Sequence, residues 1–307
     1  GNRTGPTVYR TRGRGAPQLH SPRMAVPTSP EPGVFAPDDV SGLADFYRAN
    51  GFATIRGLLD ESSTIAIEQE CVDAQQRVVA GELPERHGST VFLDDVAKAE
   101  RFANYVEFVN ELSPALRATL ADARLLAAVR AVIGDSAWLR ESNGFGVVYQ
   151  DARPGRESGY SRIGWHSDWQ ASPSMDIWPS TAFTIHIDAT SPANGFLRVV
   201  PGSHLWATPA PYRNVNNVDV PDTAQPARGW TDTPPPFEMP LGFEKVPGEI
   251  GVYLERGDIL LHDAYLWHSA ARATDDDTTR RHVRGGFFAG SKPAIGTPDE
   301  FVKNAAR

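Results

Sequence analysis

The chain of 307 residues holds a single cysteine, Cys71. No internal disulfide can form, so a disulfide-stapled secreted scaffold is excluded and a reducing cytoplasm is the expected compartment. No apolar run approaches the roughly 20 residues that span a bilayer. Excess positive charge is missing too: 30 Lys and Arg against 38 Asp and Glu leave a net charge of -8. Neither nucleic acid nor an anionic membrane surface is therefore expected as the main partner. Also absent is a His-Glu-x-x-His run, which places two zinc ligands on one helix in many metalloproteases. What remains is ordinary soluble composition, 40% hydrophobic and 22% charged, in a chain long enough to bury a large core without staples.

One stretch departs from that average. Gly1 to Arg23 carries Arg3, Arg10, Arg12, Arg14 and Arg23 and no acid. It has no apolar centre of the kind a signal peptide needs. Residues 1–39 read as an extended or flexible arm, with Met24 as a candidate internal start, and residues 40–307 as one domain.

Within that domain helical signals come first. Ser41 to Asn50 reads as a helix stopped by Gly51, and Phe52 to Leu58 as a strand. A second helix is expected from about Ser63, with Ile65, Val72 and Val79 on its apolar stripe, and a third near Val96 to Leu112. A fourth has the clearest ends: Ser113 as cap, Pro114 in the first turn and Gly134 as stop, with Leu116, Leu120, Ala123 and Ala127 along one face. After Gly134 the pattern turns to strands: Trp138 to Gln150, Thr181 to Asp188, Leu197 to Val200, Ile250 to Leu254, Asp258 to His262 and His282 to Phe288. Helices first and strands afterwards indicate an α+β, mainly β fold, with a helical part at 40–135 and an antiparallel β core at 136–290. Residues 207–249 are long, irregular and aromatic for a connection, which fits a lid.

The chemical signal is Trp165-His166-Ser167-Asp168-Trp169. Side chains two apart on a strand share a face, so an imidazole and a carboxylate here can meet one metal ion. A third donor has to come from far along the chain, and His268 is the candidate. Two histidines and a carboxylate on one side of an ion form the facial triad of non-haem iron oxygenases. The same donors also serve catalytic zinc. Taken alone, His166 and Asp168 read equally well as a surface pair in a turn.

Four segments in order remove that ambiguity. They are Trp165 to Trp169; Asn194-Gly195-Phe196-Leu197-Arg198-Val199-Val200-Pro201-Gly202-Ser203-His204; Gly257-Asp258 followed by His262 and then His268-Ser269; and Arg280-Arg281. Together, across about residues 140 to 290, they resemble the phytanoyl-CoA dioxygenase family. The resemblance implies a double-stranded β-helix, or jelly-roll, core with N-terminal helices packed on one sheet. It implies Fe(II) on His166, Asp168 and His268, with 2-oxoglutarate as co-substrate and O2 as oxidant. The family anchors the far carboxylate of 2-oxoglutarate on an arginine beyond the last histidine, where a planar guanidinium suits bidentate pairing. Of Arg272, Arg280, Arg281 and Arg284, Arg280 fits the spacing if the Asp275–Asp277 loop carries one extra residue. Arg284 shares its strand face and is the reserve, while Arg281 faces the other way. Gln150 and Thr184 lie on strands that flank the co-substrate pocket.

Other residues draw blander readings. His204 belongs to a turn and His262 to the packing near the site. His186, Thr184 and Asp188 alternate and so share one face. Trp165, Trp169, Trp178 and Trp267 are core first, and some of them wall the pocket. The expected reaction is hydroxylation of an unactivated C–H bond in a small or mid-sized organic molecule, a secondary metabolite for instance. Epoxidation, desaturation and oxidative cyclisation use the same cofactors. Chlorination is disfavoured, because related halogenases replace the carboxylate ligand that Asp168 provides. An inactive jelly-roll binding protein is the reading from another class. The oligomeric expectation is monomer or homodimer.

Overall fold

The computed structural model describes residues 31–88, 92–95, 100–141, 146–153, 164–168, 180–207, 212–215, 218–221, 231, 233–240 and 242–292. Most of the N-terminal arm, Trp169, Trp178 and much of the 207–249 insertion lie outside them. The described strands are β1 (Val34–Phe35), β2 (Phe52–Ile55), β3 (Phe92–Asp95), β4 (Glu100–Phe102), β5 (Tyr105–Val106), β6 (Trp138–Leu139), β7 (Val148–Ala152), β8 (Ser180–His186), β9 (Leu197–Val199), β10 (Tyr212–Val215), β11 (Val218–Pro221), β12 (Ile250–Val252), β13 (Ile259–Asp263), β14 (His268–Ala270) and β15 (Arg280–Phe288). The helices are α1 (Val40–Asn50), α2 (Glu61–Ala80), α3 (Pro114–Leu120) and α4 (Ala123–Ile133).

A large sheet runs in the order β1-β2-β13-β8-β15-β7-β5, with β6 also on β15, and a small sheet runs β12-β9-β14. All pairings are antiparallel except β1 with β2. The large sheet separates two sets of side chains because strand residues alternate. Ala53, Ile55, Tyr149, Phe183, Ile185, Ile259, Leu261 and Val283 share one buried cluster with Ile67 and Cys71 of α2, Leu116 of α3 and Leu125 and Val129 of α4. The opposite face contributes Phe52 and Leu260 to a second cluster, with Val199 and Val252 of the small sheet. The fold is thus a jelly roll with helices on one sheet, as the family resemblance implies. Each fully buried aliphatic or aromatic side chain adds about 1.5–3 kcal/mol, so the helix-facing set dominates stability.

Helix ends follow local chemistry. The Asp39 side chain accepts from Gly42 N at the start of α1, and Gly51 closes the helix at φ 83°. A side chain at Gly51 would also strike the His204 ring, 2.6 Å from Nδ1. Several sequence expectations are corrected. Helix α2 begins at Glu61, capped by Asp60, and buries Ile67, Cys71, Ala74 and Val78, while Ile65 is exposed. Of the expected stripe, Val79 packs against the core and Val72 is half-buried, so the buried face is turned from the expected one and leaves Ile65 outside. No helix forms in the described part of Val96–Leu112: β4, β5 and a 3-10 turn at Val109–Glu111 stand there. Phe108 adopts φ 51° and breaks any helical path, and β5 instead joins the sheet edge on β7. The helix expected from Ser113 to Gly134 is two, because Asp122 caps a fresh start by accepting from Arg124 N. Ala123 becomes exposed and Leu125, Ala128 and Ile133 take the buried face. Trp138 to Gln150 is likewise two strands, β6 and β7. Val34 and Phe35, assigned to the arm, form β1. The His268–Ala270 strand had no expectation of its own.

Candidate functional site

The 166–168 segment is not a full strand. His166 makes an isolated bridge with His268, its N–H donating to the His268 carbonyl at 3.1 Å and its carbonyl accepting from the His268 N–H at 2.9 Å. Beyond Ser167 the backbone turns, and Asp168 is part-exposed. Trp165 and Trp267 pack together with Val200 and Val246 beneath the pair. Trp165 donates its indole N–H to the Glu244 carbonyl at 2.8 Å, and the Arg198 guanidinium lies 4.7 Å from its ring. Arg198 also grips Glu249 at 2.6 Å and the carbonyls of Phe243 and Glu244. The aromatics flanking the site are therefore anchors that fix its backbone.

Three donors converge on this frame. One ligand atom from each of His166, Asp168 and His268 lies within 4.8 Å of the others. Nδ1 of His166 is 2.8 Å from the Gly164 carbonyl, and Nδ1 of His268 is 2.9 Å from that of Leu266. A carbonyl only accepts, so each Nδ1 carries the proton and each Nε2 keeps its lone pair for a metal. Burial, then the neighbouring His268, pushes His166 down to about 4, and burial also lowers His268. Burial works against ionisation of Asp168, but electrostatic interactions with His262, His268, His166 and Arg284 outweigh it and lower its pKa. Neutral imidazoles beside a carboxylate are the protonation states that a divalent ion requires, so the donor set fits iron. His262 is a close bystander. Its ring is 4.7 Å from that of His268, and its Nδ1 is 3.8 Å from Asp168 Oδ2.

The cavity face of the large sheet continues the site. Arg280, His282 and Arg284 alternate along β15. His282 stands opposite His186 and Gln150, and Arg284 opposite Thr184 and Val148. Arg280, His282, His186 and Gln150 are buried, and the two imidazoles stack at 5.6 Å. Burial, followed by the Arg280 charge, holds His186 down at about 3. Burial, His186 and both arginines keep His282 well below its usual range. The Gln150 amide is 3.5 Å from the Tyr105 hydroxyl. Gly195 is required here: a Cβ on it would come within 2.8 Å of Arg280 Nη1 and 2.9 Å of the Ala271 carbonyl.

The other candidates separate cleanly. Arg281 points to the helices, where it holds Asp188 at 2.7 Å and Glu68 at 2.6 Å. Arg272 is exposed. Asp188 does not share the face of His186, because the backbone N–H groups of Ile187 and Asp188 both donate to the Arg281 carbonyl and the alternation slips. His204 is buried in the turn after β9, with Nε2 donating to the Arg48 carbonyl at 3.1 Å. Asp258 is structural, bidentate to Arg56 at 2.8 and 3.0 Å. A cavity of about 440 Å³ beside Arg281, Arg153 and Gln75 opens on the helix side, away from the three donors. His282 and Tyr105 were missed by sequence reasoning, although the Arg-x-His-x-Arg alternation already put His282 on the arginine face.

Comparison with known proteins decides the family. The pattern of the phytanoyl-CoA dioxygenase (PhyH) family matches residues 47–283. The chain belongs to that family. It is a 2-oxoglutarate-dependent non-haem iron dioxygenase, with iron and 2-oxoglutarate as its cofactors. An ectoine dioxygenase from Sphingopyxis alaskensis is 29% identical over 116 residues, 36% of this chain and 35% of that protein. The match thus spans about a third of the relative's length. The structure of the S. alaskensis enzyme EctD with 2-oxoglutarate and 5-hydroxyectoine superposes with a TM-score of 0.57 at 16% identity, covering 88% of this chain and 86% of that one. The epimerase SnoN, in complex with Fe3+, α-ketoglutarate and nogalamycin RO, gives a TM-score of 0.54 at 18% identity over 87% and 94% of the two chains. The carbocyclase SnoK from nogalamycin biosynthesis gives 0.53 at 16%, over 83% and 86%. These three share the fold. Among the described residues of this PhyH-family chain no helix is long and apolar enough to cross a membrane.

Proposed function

We propose that this oxygenase hydroxylates an unactivated C–H bond of a small or mid-sized organic molecule, with His166, Asp168 and His268 holding iron. The observation that carries the assignment is the pair of histidines whose Nδ1 atoms are tied to backbone carbonyls while one ligand atom of each converges with Asp168. Iron(II) with 2-oxoglutarate and O2 supplies the oxidising power, the co-substrate leaving as succinate and carbon dioxide. Arg280 is the anchor for the far carboxylate of 2-oxoglutarate: it is buried on the cavity face, where a guanidinium makes strong bidentate pairs. Gln150 and Thr184, on the same face, supply hydrogen bonds to that co-substrate. Residues 40–307 act as one catalytic domain in this reading, with 207–249 as its lid. Arg198 and Trp165 join the end of that lid to the ligand segment.

Epimerisation or ring closure is the second reading, favoured by the likeness of the fold to an epimerase and a carbocyclase. The test is metal and product analysis. Anaerobic titration is expected to give one Fe(II) per chain; once O2 is admitted, succinate should form only when 2-oxoglutarate and a substrate are both present. Product mass then separates the readings, since hydroxylation adds one oxygen while epimerisation adds none and ring closure removes two hydrogens. Full iron binding and turnover in both His166→Ala and His268→Ala would overturn the ligand assignment.

A further inference from the structure

We infer that Arg284 is a substrate-binding residue and that the substrate carries a carboxylate. The inference rests on the proposed co-substrate site, because it divides the two cavity-face arginines between two ligands. Arg280 and Arg284 lie four residues apart on β15 and point to the same side. Their surroundings differ. Arg280 and His282 are buried, whereas Arg284 is exposed. Along this face of β15 the covering is broken at Arg284 and Gly286, between the buried His282 and the buried Phe288.

Thr184 and Ala182 on β8 and Gly286 on β15 are the cavity-face neighbours of Arg284, and each is only partly covered. A Cβ added to Gly286 would meet nothing nearer than 3.7 Å. His262, which stands opposite Ala182, lies beside two of the three donors, Asp168 and His268. Gly286, Ala182 and His262 are thus neighbours across β15, β8 and β13, and they connect the surroundings of Arg284 to the candidate donors.

The charge is available as well. Among the described residues, Arg56, Arg153, Arg198, Arg256 and Arg281 each hold a carboxylate within 3.3 Å. No such pair involves Arg284. Its guanidinium instead lies 5.6 Å from the ring centre of Tyr105. Tyr105 is fixed on β5 opposite Gln150, so the arginine is braced without being neutralised. Glu107 feels the charge of Arg284, but burial is the larger influence on it and raises its pKa. A guanidinium presented this way, with its fork open, is suited to a carboxylate.

The experiment uses full-length protein loaded with Zn(II) and saturating 2-oxoglutarate, so that the co-substrate site is filled and no turnover occurs. The probes are 4-fluorophenylacetate and its neutral counterpart 2-(4-fluorophenyl)ethanol, titrated by fluorine NMR. Wild type is expected to bind the acid at least about tenfold more tightly than the alcohol, the scale of one hydrogen-bonded charge pair. Arg284→Ala should lose that preference, Arg284→Lys should keep part of it, and both should melt at the wild-type temperature. Arg280→Ala should keep the preference while its 2-oxoglutarate affinity falls. Equal binding of acid and alcohol by wild type, no binding of either, or an undiminished preference in Arg284→Ala overturns the inference. If 2-oxoglutarate affinity collapses in Arg284→Ala and survives in Arg280→Ala, the co-substrate anchor was misassigned. That result fails the function reading and this inference in a recognisably different way.

Discussion

The two faces of the large sheet are built from the same strands and do opposite work. On the helix side Phe183, Ile185, Ile259, Leu261 and Val283 are fully buried in one apolar cluster. On the cavity side the alternate positions hold Thr184, His186, His262, Arg280, His282 and Arg284. A one-residue slip of β15 would exchange the two sets, so the register of the strand is held by apolar burial on one face. The same burial positions the polar groups on the other. The polar set costs stability, because buried neutral histidines and an arginine forgo solvation. The helix-side core offsets that cost, and the division tells which substitutions damage chemistry and which damage folding.

The largest expected effect is on the chemical side. His166→Ala and His268→Ala should abolish succinate formation, while the midpoint of thermal unfolding without metal moves by only a few degrees. Iron retention measured by metal analysis is the second readout. A melting point lowered as far as that of a core variant would break the comparison, because the ligands would then be part of the scaffold.

The helix-side counterpart is Ile185→Ala. Removing a buried isoleucine typically costs about 2–5 kcal/mol. Urea denaturation should show that loss, while 2-oxoglutarate affinity and turnover per folded molecule stay near wild type. Neighbouring Thr184→Ala should give the reverse: little change in the urea midpoint and a weaker hold on co-substrate.

Next come the adjacent arginines of β15. Truncating one partner of a buried charge pair costs about 2–5 kcal/mol, so Arg280→Ala should raise the 2-oxoglutarate dissociation constant by more than about tenfold. Arg281→Ala removes the ties to Asp188 and Glu68 on the helix side. It should lower stability and leave that constant unchanged. Calorimetric titration of both variants decides the matter, and a normal Arg280→Ala would show that the faces had been wrongly assigned.

Much of this division was legible from sequence. The alternation through Thr181–Asp188 and His282–Phe288 located both faces, and the His-x-Asp pair with its distant histidine located the donors. What was hidden depended on tertiary contacts. Nothing local shows that Tyr105 and Val106 leave a helix-like pattern to cover the edge of β7, since the sheet edge they satisfy lies more than forty residues downstream. Asp122 looks like one more polar residue on a long helix until its side chain is seen capping a second one. Asp188 obeys the period of two in sequence and escapes it in space, because two successive N–H groups share the Arg281 carbonyl. The 166–168 donors were read as a strand, yet a single bridge to His268 suffices to align them.

The smallest expected effect distinguishes the faces by pH. His186 on the cavity side is held at about 3 by burial and by the charge of Arg280, against an ordinary histidine value near 6.5 in the unfolded chain. Between those values the unfolded chain binds a proton that the folded protein does not. Stability therefore falls as the pH drops from about 6.5 towards the folded value, and it is fully present above 6.5. At pH 5 one such histidine costs about 2 kcal/mol relative to neutral pH. His186→Gln loses the stack on His282 and should be less stable than wild type at pH 7.5. It no longer carries the acid penalty, so its deficit should shrink by about 2 kcal/mol at pH 5. Ile185→Val, one residue away on the helix side, touches no titrating group, and its deficit should be the same at both pH values. Urea midpoints of the three proteins at pH 7.5 and 5 make the measurement. Parallel behaviour of His186→Gln and Ile185→Val would show that the cavity face is wet enough to keep its histidines near their ordinary pKa.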